Sequence, residues 1–282
     1  MDVLGQRLQQ RTMEDLKTPY KSVLSIAGSD SGGCAGIQAD IKSISACGAY
    51  AATVITATTA QNTMGVTDIH AIPISHLEKQ LDAVLSDIDF GAIKIGMLHS
   101  CEVIKVVQRK LSEYKAKNIV LDPVMVSTSG HKLIADDAIA CLKGFLPNVS
   151  LITPNIPEAE LLIDEKINSE NMEEMAKKIG ERYQTSVLLK GGHMDNGTII
   201  MTDVCYVHET QKVNLITNPK VNTKNIHGTG CSLSSSIASY LSLGLSMEEA
   251  ITKGCNYVNR AIAAGKNKIL GQGNGPINHF GL

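Results

Sequence analysis

SVLSIAGSDSGGCAG (residues 22–36) begins as a run of β-branched and other apolar residues and stops in a Gly/Ser/Asp cluster. That is the pattern of a buried strand entering a loop. Runs of the same kind recur at AATVITA (51–57), GAIKIGM (91–97), KNIVLDP (117–123), VSLITP (149–154) and TSVLLKG (185–191). Between them the spacing predicts amphipathic helices. Ser75 with Glu78 reads as a capping box ahead of Leu77, Leu81, Val84, Leu85 and Ile88 on one face. Val103, Ile104, Val107, Leu111 and Tyr114 repeat the pattern, as do Met172, Met175, Ala176, Ile179 and Tyr183.

Strands and helices that alternate through short connections must pair in parallel, with helices on both faces of one sheet. The fold class is therefore α/β, a three-layer α/β/α domain with a mostly parallel central sheet. Three short pieces, TIIMT, VCYVHE and KVNLIT, break the alternation between Thr198 and Thr217 and predict an antiparallel extension at a sheet edge. Two helices close the chain. One begins near Gly228 with Leu233, Ile237 and Leu241 on one face; a Ser246/Glu249 capping box opens the other, which carries Ile251, Val258 and Ile262. Residues 1–21 are polar and of mixed charge, without the order of a signal peptide, and read as an N-terminal extension to a domain at 22–282.

Composition narrows the function. Lys plus Arg number 26 against 28 Asp plus Glu, a net charge of -2, which argues against a nucleic-acid or anionic-membrane surface. With 3 Phe, 7 Tyr and no Trp, the chain lacks material for a base-stacking platform. The segments 43–67 and 225–247 carry no Asp, Glu, Lys or Arg, yet Ser, Thr, Gly and Asn stud both, so buried core is the better reading than a membrane span. The closest two of the seven cysteines, Cys34 and Cys47, lie 13 positions apart. No CxxC motif exists, and a reducing cytoplasm fits best. A small-molecule protein is the expectation.

GxGxxG, GxxxxGK[ST], HExxH and GxSxG are all missing, so any phosphate site must use another device. NTKNIHGTGCSLSSS (222–236) supplies one. Gly228, Thr229 and Gly230 sit where a loop becomes a helix, with unpartnered N–H groups and no Cβ on the glycines to keep a phosphate away. Cys231 follows in the first turn, where the helix dipole lowers a thiol pKa. An ordinary helix entry with a packing cysteine would read the same. The glycine-rich GSDSGGCAG (28–36) with Asp40 beyond it opens at the carboxyl end of the sheet, where α/β ligands bind. Asp122, Asn155 and Glu158 fall at the same edge; they suit a Mg²⁺ ion held between phosphates, and equally a set of caps and turns. Lys190 and Lys224 could neutralise phosphate charge. Gln61 follows an uncharged strand and needs hydrogen-bond partners, which a heterocycle edge provides. No histidine pairing suggests a metal site.

Together AGSDSGGCAGIQAD (27–40), TAQNT (59–63), IKIGML (93–98), LDPVMVSTSG (121–130), ITPNIPEAE (152–160), LLKGGH (188–193), NTKNIHGTGC (222–231) and GPINHF (275–280) resemble the ribokinase superfamily. Within it they are similar to the hydroxymethylpyrimidine kinase / phosphomethylpyrimidine kinase family of thiamin biosynthesis. The resemblance runs from about residue 22 to 282 and implies a ribokinase-like fold, ATP and Mg²⁺, and two successive phosphorylations of a pyrimidine. It implies that Gln61, Asp40, Met97 and Val124 line the pyrimidine pocket and that Gly228, Thr229 and Gly230 form an anion hole. It gives Asp122 and Glu158 to Mg²⁺, and Asn155, Lys190 and Lys224 to the nucleotide. Cys231 takes the place of the Asp base found in most of the superfamily, and Cys34 stands where the family usually has a third glycine in its first loop. A homodimer is implied. A pyridoxal kinase of the same Cys-containing branch would share nearly every motif, and a silent ligand-binding module on this fold is the reading from a different class.

Overall fold

The computed structural model describes residues 18–125, 134–192 and 199–281. Most of the N-terminal extension, residues 126–130 of the LDPVMVSTSG motif, and His193 and Thr198 lie outside the described residues.

Nine strands form one sheet: β1 (Ser22–Asp30), β2 (Tyr50–Asn62), β3 (Gly65–Ala71), β4 (Ala92–Ile95), β5 (Ile119–Leu121), β6 (Leu151–Ile152), β7 (Ser186–Leu189), β8 (Ile200–Val207) and β9 (Lys212–Pro219). Their order across the sheet is β3-β2-β1-β4-β5-β6-β7-β8-β9. The six from β2 to β7 in that order pair in parallel, as the alternating sequence demands. β3 and β8 join antiparallel at opposite ends, and β9 adds to β8. The expected antiparallel extension is present, but two of its three pieces, TIIMT and VCYVHE, lie largely in the single strand β8. A second antiparallel edge, β3 on a β2 longer than AATVITA, is new.

The helices are α1 (Gly36–Ala46), α2 (Ile74–Leu85), α3 (Cys101–Glu113), α4 (Asp136–Phe145), α5 (Ile156–Ile163), α6 (Met172–Tyr183), α7 (Thr229–Ser242) and α8 (Met247–Gly265). Period-two alternation divides the strands between two cores. Leu24, Ile26, Ile93, Ile95, Ile119, Leu121, Ile152, Val187 and Leu189 pack on one face with Leu77, Leu81, Val107, Leu162 and Ile179. Val23, Ala92, Val120, Leu151 and Leu188 point the other way, into a second cluster with Ile44, Leu233, Ile237, Ile251 and Val258. Helices α1, α7 and α8 therefore form one outer layer, and α2 to α6 the other.

The Ser246/Glu249 capping box opens α8 as expected. The Ser75/Glu78 box does not form: Pro73 is the N-cap of α2, and Glu78 pairs with Arg109 of α3 instead. A cross-helix partner outcompetes the local cap. Cys101 and Cys141, 40 residues apart, form a disulfide between α3 and α4. Spacing alone does not reveal such a pair, and the bond runs against the reducing environment expected from the cysteine pattern.

Candidate active site

The carboxyl ends of β1, β5 and β7 and the start of α7 converge at one sheet edge. The first loop is organised by Asp30, a residue the motif reading passed over. Its Oδ1 accepts from Gly32 N–H at 2.8 Å, and its Oδ2 accepts from Cys34 and Ala35 N–H at 2.9 and 2.8 Å. Cys34 is buried and its N–H serves the loop as a glycine's would, so the departure from a third glycine is accommodated. Onto this loop packs the GTGC turn. Gly228 caps α7 at φ +83°, a left-handed conformation, and a Cβ there would overlap the Cys34 carbonyl oxygen. The N–H groups of Gly230 and Cys231 fall in the first turn, with no carbonyl one turn back to accept them.

Across from that turn lies a charged pair. Lys190 Nζ donates to Asp122 Oδ1 at 3.0 Å, and Thr153 Oγ1 donates to the same oxygen at 3.1 Å. A Cβ on Gly230 would sit 3.2 Å from Asp122 Oδ2 and 3.6 Å from Lys190 Nζ. The absent side chain is what keeps the helix terminus open to these two groups. Asn155 and Glu158 meet as a capping box on α5: Asn155 Oδ1 accepts from Glu158 N–H, and Glu158 Oε2 accepts from Asn155 N–H, both at 2.9 Å. Burial drives the Glu158 carboxyl up to about 7, with Lys190 opposing and Asp122 reinforcing the shift.

Cys231 lies largely buried on α7 between the Lys94–Asp40 and Lys190–Asp122 ion pairs. The expected thiolate-favouring environment is not found: burial pushes its thiol up to about 11, against the pull of Lys94. Lys94 is fully buried and clasps both oxygens of Asp40 at 2.7 Å, while Ser25 and Ser235 donate to the same carboxylate at 2.6 and 2.8 Å. Asp40 therefore does not line a pocket for the pyrimidine. It has no exposed surface, its oxygens are taken, and its place is beneath Cys231, one helical turn along α7 at Ser235. A lysine inside the apolar strand GAIKIGM was the sequence signal for this pair, because a charge in a strand buried on both faces requires a partner.

Gln61 is the penultimate residue of β2, beside the first loop, and is half-buried. Ser31 Oγ accepts from its N–H at 2.9 Å and donates to its C=O at 2.8 Å. Met97 is buried, its carbonyl accepting from Thr56 Oγ1 at 2.9 Å, and its methyl group approaches Gly28 so closely that a Cβ there would lie 2.7 Å away. Val124 is half-buried after β5, two residues beyond Asp122. Thr229 turns its hydroxyl to the Ile226 carbonyl at 3.0 Å, and Lys224 is exposed on the approach to the turn.

Among the described residues no group of three or more His, Cys, Asp or Glu could hold a metal ion by itself. Two carboxylates at one edge, one of them paired with a lysine, fit an ion held mainly by phosphates and water, as Mg²⁺ is. No described helix is long and apolar enough to cross a membrane.

A family model described as phosphomethylpyrimidine kinase matches residues 30–278. The chain is 44% identical over 264 residues to the thiamine biosynthesis bifunctional protein ThiED of Geobacter sulfurreducens, covering 93% of this chain and 53% of that protein. It thus spans about half of that relative. It is 43% identical over 263 residues to the hydroxymethylpyrimidine/phosphomethylpyrimidine kinase of Rhizobium meliloti, covering 91% of this chain and 96% of the relative. Among solved structures, the ADP complex of Bacillus subtilis pyridoxal kinase superposes with a TM-score of 0.84 at 30% identity, over 93% of this chain and 98% of that one.

Proposed function

The chain belongs to the phosphomethylpyrimidine kinase family, on the ribokinase-like fold, and we propose that it phosphorylates 4-amino-5-hydroxymethyl-2-methylpyrimidine with ATP and then converts the monophosphate to the diphosphate, as a step of thiamin biosynthesis. One observation carries the reading: Gly230 holds the start of α7 open towards the Asp122–Lys190 pair, with Cys231 in the same turn. Phosphoryl transfer requires little covalent chemistry from a protein and much positioning and charge stabilisation.

In this mechanism the N–H groups of Gly230 and Cys231 hold the transferring phosphoryl group, in the turn that Gly228 and Thr229 shape; the Thr229 N–H itself is donated to the Ile226 carbonyl. Lys190 neutralises charge that builds on it, and Asn155 and Lys224 contact the nucleotide. Gln61 pairs with the ring edge while Met97 and Val124 pack its faces. Cys231 accepts the hydroxyl proton. It does so as the thiolate, a form that only a small fraction of the ligand-free protein holds near neutrality when the thiol is raised to about 11. Asp122 and Glu158 would hold Mg²⁺, which when bound neutralises phosphate charge. Residues 22–282 make up the kinase domain, residues 1–21 an extension, and the cytoplasm is the compartment. Two copies form the active particle, an arrangement favoured by the exposed edge strand β3.

Initial rates of ADP release with the pyrimidine alcohol, its monophosphate and pyridoxal test the substrate. Turnover of both pyrimidines is the expected result; turnover of pyridoxal with none of the monophosphate refutes it. Pyridoxal is the second reading because of the superposition on the B. subtilis enzyme, but the 30% identity there is well below the 43% to the R. meliloti pyrimidine kinase.

A further inference from the structure

The side-chain amide of Gln61 is gripped at both ends. Thr59 Oγ1 lies 3.0 Å from its Oε1, and His227 Nε2 lies 3.1 Å from its Nε2. Thr59 Oγ1 is also 3.0 Å from the Ser29 carbonyl oxygen, which can only accept. One hydroxyl proton cannot serve both acceptors at full strength. Two self-consistent networks follow. In the first, Thr59 donates to Gln61 Oε1, and a Gln61 N–H donates to an unprotonated His227 Nε2. In the second, Thr59 donates to Ser29, the amide is turned over so that its N–H donates to Thr59 Oγ1, and His227 Nε2–H donates to Gln61 Oε1. The proton on His227 decides between them.

Each network leaves one amide N–H and one oxygen lone pair free, but in exchanged positions. The backbone of Gln61 cannot follow, since Ser31 holds both its N–H and its C=O, and a β-bulge at Ala60/Gln61 sets its direction. His227 is equally fixed. It is buried, its N–H donates to the Gly275 carbonyl at 3.1 Å, and it directly precedes the Gly228 turn that packs on the first loop.

We propose that His227 sets which way round the Gln61 amide faces, and thereby whether the pocket offers a donor or an acceptor to each position on the edge of a nitrogen heterocycle. It is a positioning residue for ring specificity. The inference rests on Gln61 reading the ring. An aminopyrimidine presents an exocyclic N–H donor beside a ring-nitrogen acceptor, so it pairs with the amide in one order and meets donor with donor in the other. The first network, with neutral His227 accepting from Gln61, is the productive one. Burial holds the imidazole below its ordinary pKa, and the charged group opposing that shift is Asp30, whose carboxylate already accepts from three loop amides.

The experiment measures KM for the pyrimidine alcohol and for ATP between pH 5.5 and 8.5 in wild type, His227→Gln and His227→Leu. Wild type should hold a constant pyrimidine KM above neutrality and lose affinity on acidification, as His227 gains a proton and turns the amide. His227→Gln, which keeps an acceptor at similar reach and does not titrate, should flatten that dependence. His227→Leu should raise the pyrimidine KM by about 10- to 100-fold with the ATP KM unchanged, the size of a mispaired buried group. A folded His227→Leu enzyme with unaltered pyrimidine KM overturns the proposal, and so does an acid limb that survives in His227→Gln. If the leucine variant does not fold, the glutamine variant decides. Should pyridoxal prove to be the substrate, a double-mutant cycle of Gln61→Leu and His227→Leu on pyridoxal KM still tests the coupling. Non-additivity then supports it and additivity overturns it, independently of the pyrimidine reading.

Discussion

Replacing Gly230 separates phosphate handling from folding. Its φ lies outside the left-handed region, so a side chain brings no backbone strain. An alanine Cβ would press on Asp122 Oδ2 at 3.2 Å, a contact relieved by a shift of a few tenths of an ångström, while valine would carry its methyl groups into the gap itself. Glycine costs a helix up to about 1 kcal/mol relative to alanine. Gly230→Ala should therefore melt no lower than wild type, and up to about 2–4 °C higher for a chain of this size. Turnover should move the opposite way. Blocking one backbone donor to the transferring group costs about 10²–10³ in kcat, or about 2.7–4 kcal/mol, and valine should reach the upper end. Steady-state ADP release with the pyrimidine alcohol, beside a thermal melt by circular dichroism, reads both quantities. Gly230→Val protein with an intact melt and wild-type kcat refutes the role given to this turn. Gly228 offers no such separation, because its left-handed φ and the Cys34 carbonyl make any side chain there a folding defect as well.

Cys231→Ala should lose most turnover yet bind ATP normally by calorimetry. With the thiol raised to about 11, alkylation of ligand-free protein by iodoacetamide should accelerate through pH 10, and a plateau below pH 9 contradicts the burial argument. The Glu158 carboxyl titrates at about 7 when folded against 4.5 ordinarily, so between those values the folded state holds a proton that the unfolded chain has released. Its contribution is fully present below about pH 4.5 and is lost as pH rises through 7. Glu158→Gln should accordingly be the more stable form at pH 8 by up to about 3 kcal/mol in urea, and a less stable variant at that pH refutes the shift. Lys94→Met strands the buried Asp40 carboxylate and should cost about 3–5 kcal/mol by denaturant midpoint. The double variant with Asp40→Asn should recover part of that loss; no recovery means that packing, not charge, is what Lys94 supplies.

Strands and their loops were legible because a parallel sheet buried on both faces writes itself as short β-branched runs ending in glycine, as at Ser22–Gly28 and Ser186–Leu189. The position of the GTGC turn at a helix start followed from its glycines. Asp40 misled because motif position shows only that a carboxylate sits near a site, whereas Lys94, 54 residues away, decides whether it faces ligand or core. The Cys231 environment was only half legible for a related reason: the helix terminus is local and visible, but the desolvation that raises its thiol is contributed by distant segments. Glu78 shows the same competition, a local cap giving way to Arg109 on another helix. Asp30 and His227 stood inside recognised motifs, yet their partners at Ala35 and Gln61 depend on the folded loops.

The two faces of the sheet are completed at very different times during synthesis. The side carrying α2 to α6 is built from segments adjacent in the chain, each helix following the strand it covers. The opposite side depends on α7 and α8, which follow β9. While a ribosome is still translating them, Val23, Ala92, Val120 and Leu188 lack most of their cover, and Asp40 lacks the Ser235 hydroxyl. At ordinary elongation rates that interval lasts on the order of seconds, long compared with local folding. The nascent sheet thus keeps apolar surface on one face uncovered over that interval, and the GTGC turn, which heads the last two helices, is assembled only as the covering layer arrives.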